Sequence, residues 1–404
     1  MGKPKTIRKR GAQTAKSDLA SRRLSVDGNR LTLLPDGPER LAVLIDLIDD
    51  AKRSLRLLYY TFMADAAGER VKQALLRAVE RGVEVALLID GFGSSSTPDD
   101  YFADLSKSGA KFCRFNPNYG RRYLLRNHQK LALADGDGKD GRAMIGGFNI
   151  ADDYFGTAEQ GAWRDIGLLV EGPAAARLAP YYDMLIAWAL SKKSKMRILR
   201  HRARHFSETS GLLQWQFGVP TGKLSPWGVS TCRDLAHSQD VQMIAAYFAP
   251  TGGFLKRIAR VGKRGRARVI TAAKSDNTAT IAAARFTYGR LIKRGVEVFE
   301  YRPTKLHTKL VVLDEVVHIG SSNVDIRSLY LNMELMLRVD DVNFAQMMRT
   351  YFEGERAQSL PITAELQKKR ATLLNRIRWA ISFFLVTSFD YGVTRRLNFG
   401  LAGD

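Results

Sequence analysis

An α/β fold of two similar lobes, each a mixed β-sheet flanked by helices, with one pocket shared at their interface, is what this sequence predicts. Three observations carry the expectation. Short apolar runs alternate with amphipathic runs of helical period in both halves of the chain. The pattern H-x-K-x4-D occurs twice, His128, Lys130 and Asp135 standing 179 positions before His307, Lys309 and Asp314. After each copy a glycine-bearing turn ends in asparagine, "GGFN" at Gly146–Asn149 and "GSSN" at Gly320–Asn323. A whole pattern that recurs in order reads as an internal duplication.

The elements follow in chain order. "SLRLLYYTF" reads as a strand, "GERVKQALLRAVERG" as an amphipathic helix, and "VEVALLIDGFG" as a strand ending in a glycine-rich turn. Such strand–helix–strand units place parallel strands in one helix-covered sheet. "LSKSGAKFCRFNP" then leads into "NHQKLALAD". The second half repeats the order with "DVQMIAAYFAP", the helical "GGFLKRIARVGKRG", the strand "RARVITAAK", the helical "TIAAARFTYGRLIKRG" and the strand "VEVFEY", before "LHTKLVVLD". The resulting division is a basic arm at 1–30, a first lobe at 31–195, a connecting segment at 196–225, a second lobe at 226–365 and a basic amphipathic C-terminal segment at 366–404.

On a strand, side chains at i and i+2 share a face, so each histidine projects with its lysine. Lysine is rarely buried without a partner, and the pair suits a pocket that receives an anion. If the halves pack about a pseudo-twofold axis, two histidines, two lysines and two asparagines reach one cleft. That inventory fits a phosphodiester: lysines and asparagines hold the non-bridging oxygens, one histidine attacks phosphorus and the other protonates the leaving oxygen. Asp135 lies 14 positions before Asn149, whereas Asp314 lies 9 before Asn323. The surplus, "GDGKDG", reads as a lengthened hairpin turn away from the pocket. It leaves Asp137 and Asp140 as rivals to Asp135, which the strand register favours.

With 404 residues, 45% of them hydrophobic, the chain can bury a large core and is not a disordered protein. Its 63 Lys and Arg against 41 Asp and Glu leave a net charge of +22, which attracts nucleic acid or an anionic membrane surface without choosing between them. Two cysteines, Cys113 and Cys232, make no disulfide framework, which favours a reducing compartment. No residues stand at metal-ligand spacing, and neither a metal nor another cofactor is expected. The N-terminus is basic without the apolar stretch of a secretory signal.

No stretch reaches the ~20 apolar residues of a spanning helix. "WAISFFLVTSF", Trp379–Phe389, comes nearest and is flanked by Arg376, Arg378, Arg395 and Arg396. It suits the headgroup layer, with Trp379, Phe383 and Phe384 as contacts, or else a terminal helix packed on the protein's own core. Arg121, Arg122 and Arg126, just before His128, are candidates for a cleft mouth that draws in anionic headgroups, or for an ordinary surface loop.

The doubled H-x-K-x4-D with G-G-x-N or G-S-x-N resembles the phospholipase D superfamily, over roughly Leu41 to Val339. "GGFNIADDY", "WRDIGLLVEGPA", "AYFAP" and "SSNVDIRSLYLNMEL" are similar to the bacterial cardiolipin synthase branch, in a short form without N-terminal transmembrane helices. Gly147, where the second copy has Ser321, is typical of that branch. The resemblance implies two phospholipase D-like lobes with the active site between them and a covalent phosphohistidine. It further implies transfer of a phosphatidyl group from one phosphatidylglycerol to another with release of glycerol.

It makes His128 and His307 nucleophile and general acid/base, with attack given to His128. Lys130, Lys309, Asn149 and Asn323 become phosphate ligands, and Asp135 and Asp314 supporting members of the catalytic motif. A carboxylate behind each histidine is also implied, for which Glu334 and Asp165 are the candidates. The implied partners are phospholipids and an anionic membrane, met peripherally from the cytoplasmic side. A phospholipase D-type hydrolase or an endonuclease of the same superfamily is the alternative, and a catalytically silent binding module is disfavoured by the intact histidines and lysines.

Overall fold

Short, mostly apolar strands, the central ones buried on both faces, close into two sheets of the same design. The structure, a computed structural model, describes residues 22–115, 125–191, 196–220 and 223–389. Arg121 and Arg122, most of the basic arm, and Arg395 and Arg396 lie outside them. The first sheet contains β1 (Arg23–Val26), β2 (Asn29–Leu34), β3 (Ser54–Tyr59), β4 (Glu84–Asp90), β5 (Lys111–Phe115), β6 (Leu131–Ala134), β7 (Arg142–Gly146) and β8 (Gly167–Glu171). Next in sequence come β9 (Leu213–Gly218), β10 (Asp240–Ala245), β11 (Phe248–Ala249), β12 (Arg266–Ala272), β13 (Val296–Tyr301) and β14 (Lys309–Leu313). The last four are β15 (Val316–Gly320), β16 (Val324–Asp325), β17 (Glu334–Asp340) and β18 (Ser359–Pro361).

The strand orders are β1-β2-β8-β7-β6-β3-β4-β5 and β18-β13-β12-β10-β14-β15-β17-β9. Read from opposite ends, β2-β8-β7-β6-β3-β4-β5 matches β9-β17-β15-β14-β10-β12-β13 element for element. In each lobe three strands run parallel, β3-β4-β5 and β10-β12-β13, joined through an antiparallel pair, β3-β6 or β10-β14, to the motif hairpin. The helices Ala66–Glu80 and Thr278–Ile292 are connections within the parallel parts. Asp65 caps the first, its side chain accepting from Gly68 N–H at 2.9 Å, and Asn277 caps the second by accepting from Ala279 N–H at 3.1 Å.

Two boundaries fall inside stretches read as non-lobe sequence. Strand β1 begins at Arg23, within 1–30, and β9, within 196–225, is the counterpart of β2 at the edge of the second sheet. β1 forms a hairpin with the adjacent β2, whereas β9 pairs with β17, a strand far away in sequence that a local reading does not see.

The sheets share a core. Leu131, Ile145 and Leu168 of the first lobe and Leu310, Ile319 and Leu335 of the second belong to one continuous buried cluster. Each buried leucine or isoleucine contributes about 1.5–3 kcal/mol, so the lobes meet through a core and their relative position is fixed. Separate clusters fill the outer faces, around Leu57 and Leu87 in the first lobe and Val269 and Val311 in the second.

Candidate active site

Both motif segments end against the opposite lobe. The His128 N–H donates to the Met333 carbonyl at 2.9 Å, and the Met333 N–H returns to the Arg126 carbonyl at 2.9 Å. On the other side the His307 N–H donates to the Arg164 carbonyl at 2.7 Å, and Arg164 N–H to the Lys305 carbonyl at 2.7 Å. Two short parallel bridges result, Asn127 with Met333 and Arg164 with Leu306. Each histidine is therefore held beside a residue that leads into the strand paired with the motif hairpin of the other lobe, β17 for His128 and β8 for His307.

The bridges decide which carboxylate serves which imidazole. Nδ1 of His128 faces Glu334, 3.0 Å from Oε2 and 3.1 Å from Oε1, and Nδ1 of His307 lies 2.7 Å from Oδ2 of Asp165. Glu334 follows the second motif and Asp165 the first, so the partners are exchanged between lobes. A carboxylate only accepts, so each Nδ1 carries its hydrogen and each Nε2 presents a lone pair to the cleft. Burial pushes His128 down to about 4 and His307 down to about 3, despite the opposing pull of Glu334 and Asp165. Burial alone would raise both carboxylates. The facing histidine and the lysines outweigh it and hold Glu334 and Asp165 low. At neutral pH the resting site thus holds two neutral imidazoles on two fixed carboxylates.

The two carboxylates are equivalent by register. Gly146 pairs with Gly167 and Gly320 with Met336, so Asp165 and Glu334 each precede the glycine's partner by two residues. Their surroundings differ in one atom set. Ser321 Oγ donates to Glu334 at 2.6 Å and accepts from Leu335 N–H at 2.9 Å. At Gly147, a Cβ would stand 2.7 Å from both Asp165 carboxylate oxygens and 3.0 Å from the His307 carbonyl. Glycine is required there by the shorter acidic side chain's approach to His307.

Lys130 and Lys309 are 1% and 2% exposed, and each ammonium donates to the carbonyl of its own motif histidine, Lys130 at 2.6 Å. Burial lowers Lys130 to about 7 and Lys309 to about 8, with Glu334 and Asp165 resisting. Each lysine also lowers the proton affinity of the histidine in the other lobe, so the four groups share one electrostatic site. Aromatic rings wall it. Tyr60 meets His128 edge-on at 5.0 Å between centroids, while Tyr154 and Trp163 flank His307 at 5.1 and 5.4 Å. No periodicity marks these three rings in the sequence, because their role comes from two loops and the short helix Asp152–Phe155 meeting around the histidines.

β7 and β15 end beside the starts of β6 and β14, so Asn149 and Asn323 emerge at the same sheet ends as the lysines. Asn149 accepts from Thr61 N–H at 3.1 Å and donates to the Tyr154 hydroxyl at 3.1 Å. Asn323 Oδ1 is buried without a hydrogen-bond partner.

Asp135 and Asp314, grouped with the catalytic motif, stand at the opposite strand ends, roughly 16 Å from the lysines at 3.3 Å per residue. Both occupy the left-handed region, φ 52° and 50°. Asp135 accepts from the backbone of Lys52, Arg53 and Ser54, and Asp314 from Gln239 and Asp240, tying each hairpin to the start of a neighbouring strand. The surplus turn, with Asp137 and Asp140, lies at that far end, where Asp137 pairs with Arg56 at 2.7 Å.

The expected headgroup contacts need correction. Arg126 is 9% exposed and lies over the Phe92 ring at 3.5 Å, a wall residue and not a surface one. Trp379 is 4% exposed because its helix packs that side inward, and Phe383 rests on Phe286; Phe384 alone of the three is open. Two buried carboxyls that the motifs did not mark, Asp90 and Asp325, are pushed up to about 6 by burial. Asp90 receives the Asn127 N–H at 2.7 Å, beside His128, and Asp325 caps Ile326–Tyr330. Among the described residues no three His, Cys, Asp or Glu side chains are grouped as metal ligands.

Two duplicated lobes, with paired histidines and lysines in one cleft and a carboxylate lent to each histidine across the interface, define an enzyme of the phospholipase D superfamily. A family model described as "Cardiolipin synthase, PLD-like domain" matches residues 44–179 and 232–356, and the chain belongs to that family. It is 30% identical over 356 residues to a cardiolipin synthase of Listeria monocytogenes serotype 4a, covering 85% of this chain and 72% of that protein. It is 28% identical over 365 residues to cardiolipin synthase B of Shigella flexneri, covering 87% and 85%. The fold is similar to that of the phosphatidylserine synthase of Haemophilus influenzae Rd KW20, with a TM-score of 0.69 at 13% identity over 95% of this chain and 99% of that one.

Proposed function

We propose that this protein is a phosphatidyltransferase of the cardiolipin synthase type, moving a phosphatidyl group from one phosphatidylglycerol to a hydroxyl of another. The crossed pairs, His128 on Glu334 and His307 on Asp165, are the observation that carries the reading. The donor phosphate enters between the lysines, which with Asn149 and Asn323 hold its non-bridging oxygens. His128, the more open ring, attacks through Nε2 and a P–N bond forms as the bond to glycerol oxygen breaks. The entering phosphate anion raises the proton affinity of His307, whose Nε2 takes up a proton from solvent as the donor binds and delivers it to the departing glycerol oxygen. The acceptor hydroxyl then returns a proton to His307 while its oxygen displaces His128, giving a lipid with two phosphates joined through glycerol.

The same reading has the protein working peripherally at the cytoplasmic face of the membrane, supported by its net charge of +22. Among the described residues no helix is long and apolar enough to cross a membrane.

The test supplies purified protein with phosphatidylglycerol vesicles and, separately, with plasmid DNA. A four-chain lipid with equimolar glycerol, and a phosphate trapped on His128, are expected. Phosphatidic acid as the main product would make it a hydrolase, and nicked DNA with intact lipid an endonuclease.

A further inference from the structure

The C-terminal helix Leu373–Phe384 is packed on one side and bare on the other. Trp379 and Phe383 face inward onto the helix Thr278–Ile292, the Phe383 and Phe286 rings 4.9 Å apart. Leu373, Leu374, Ile377, Ile381 and Phe384, with Leu385 just beyond, are between 45% and 80% exposed. At about 100° per residue these six span an arc of roughly 120° opposite Trp379, with Arg376 on one edge and Arg378 on the other. Six contiguous apolar side chains form a patch, unlike the single exposed residues common on soluble surfaces.

Charge beside the patch has one sign. A groove of about 830 Å³ between this helix, Thr278–Ile292 and Ala364–Arg370 is lined by Arg290, Lys293, Arg294, Lys368 and Arg376. None of these five pairs with a carboxylate among the described residues, and the helix "LLNRIRWAISFF" contains no acidic residue. Its continuation, Leu385–Phe389, packs on Ile326–Tyr330, the helix that begins three residues after Asn323. The apolar stripe therefore runs toward the loop that carries part of the cleft.

We propose that this face is a docking surface for an anionic phospholipid bilayer. Leu373, Leu374, Ile377, Ile381, Phe384 and Leu385 enter the boundary between headgroups and acyl chains, while Arg376, Arg378 and the groove's cations take the phosphates. The rim argues for lipid over a protein partner, since it offers unpaired cations alone on both sides of the apolar arc. The purpose of docking rests on the lipid-substrate reading above, but the adsorption does not depend on turnover.

The test uses the full chain carrying Ile377→Glu with Ile381→Glu, and a second variant carrying Arg290→Glu with Lys293→Glu. Wild type is expected to sediment with phosphatidylglycerol-containing vesicles and not with pure phosphatidylcholine, and each variant to lose at least about tenfold in binding. All four positions lie at the surface, so melting temperature should hold, as should turnover of a short-chain phosphatidylglycerol below its micellar concentration. Vesicle binding equal to wild type in both variants overturns the proposal. So does a wild-type dimer that the isoleucine variant dissociates without loss of vesicle binding, which would make the face a contact between two copies. A wild type that binds vesicles through these residues but transfers no phosphatidyl group leaves the docking surface standing and removes the functional reading instead.

Discussion

Glu334 lies 3.0 Å from Nδ1 of His128, although 206 residues separate them and they belong to opposite lobes. The complementary pair, Asp165 with His307, is separated by 142 residues. Neither lobe alone supplies both a motif histidine and the carboxylate that fixes its tautomer, so each half completes the histidine of the other.

The exchange predicts that Glu334→Gln acts on the histidine of the other motif. In a ¹⁵N-histidine spectrum the tautomer signal of His128 should change while that of His307 stays, and Asp165→Asn should do the reverse. Each substitution is expected to lower kcat by about 10²–10⁴-fold, as loss of an oriented acid–base group does. Movement of the same-lobe histidine instead would refute the crossed arrangement.

Gly147→Ser should lower activity without unfolding the protein. The new Cβ meets the tip of the Asp165 side chain, 2.7 Å away, so the carboxylate swings from His307, while the His307 carbonyl, 3.0 Å away, has only slightly to yield. A displacement of about 1 Å at such a group costs on the order of 10²-fold in kcat. Circular dichroism melting should remain near that of wild type; activity above half of wild type would show that Asp165 tolerates the intrusion.

Anion binding should weaken as pH rises. Lys130 and Lys309 are lowered to about 7 and about 8, so each is charged below its value and neutral above it. Sulfate, whose own charge is constant in this range, should lose about tenfold or more in affinity between about pH 6 and pH 9. Lys130→Gln should flatten the lower part of the profile. An affinity unchanged across the range would mean that the lysines stay protonated.

Asp135→Ala should destabilise the fold and spare the chemistry. It removes the acceptor of three strand-end amides and forces alanine into φ 52°, which together cost about 1–3 kcal/mol or somewhat more. The backbone amides, with Arg53, outweigh burial and hold Asp135 below the ordinary carboxylate range. Its ionic stabilisation is therefore full above that range and lost as pH falls through the lowered value. Urea titration should show the gap to wild type narrowing in acid, with kcat per folded molecule unchanged at neutral pH.

Much of this molecule was legible because the signals are local. Short apolar runs, helix period and the spacing of His128, Lys130, His307 and Lys309 need only a few neighbouring residues to be read. Strand β9 was not legible, since Leu213–Gly218 becomes a strand only by pairing with β17, more than a hundred residues on. Nor were Tyr60, Tyr154 and Trp163, whose rings wall the histidines from segments that carry no repeat.

The C-terminal helix shows the same limit from another side. Its sequence is apolar on more than one face, and composition left Trp379 either a lipid contact or part of a helix packed on the protein's own core. Packing turned Trp379 inward and left Ile377 and Ile381 outside.

By itself the sequence determined two copies of one strand-borne His/Lys pair, because period-two geometry is written into consecutive residues. Tertiary structure alone decided that each imidazole takes its carboxylate from the other lobe, that Gly147 must lack a side chain, and which face of the last helix stays bare. Those outcomes depend on how two finished surfaces dock, and docking is set by shape and burial summed over the whole interface, not by any short run of residues.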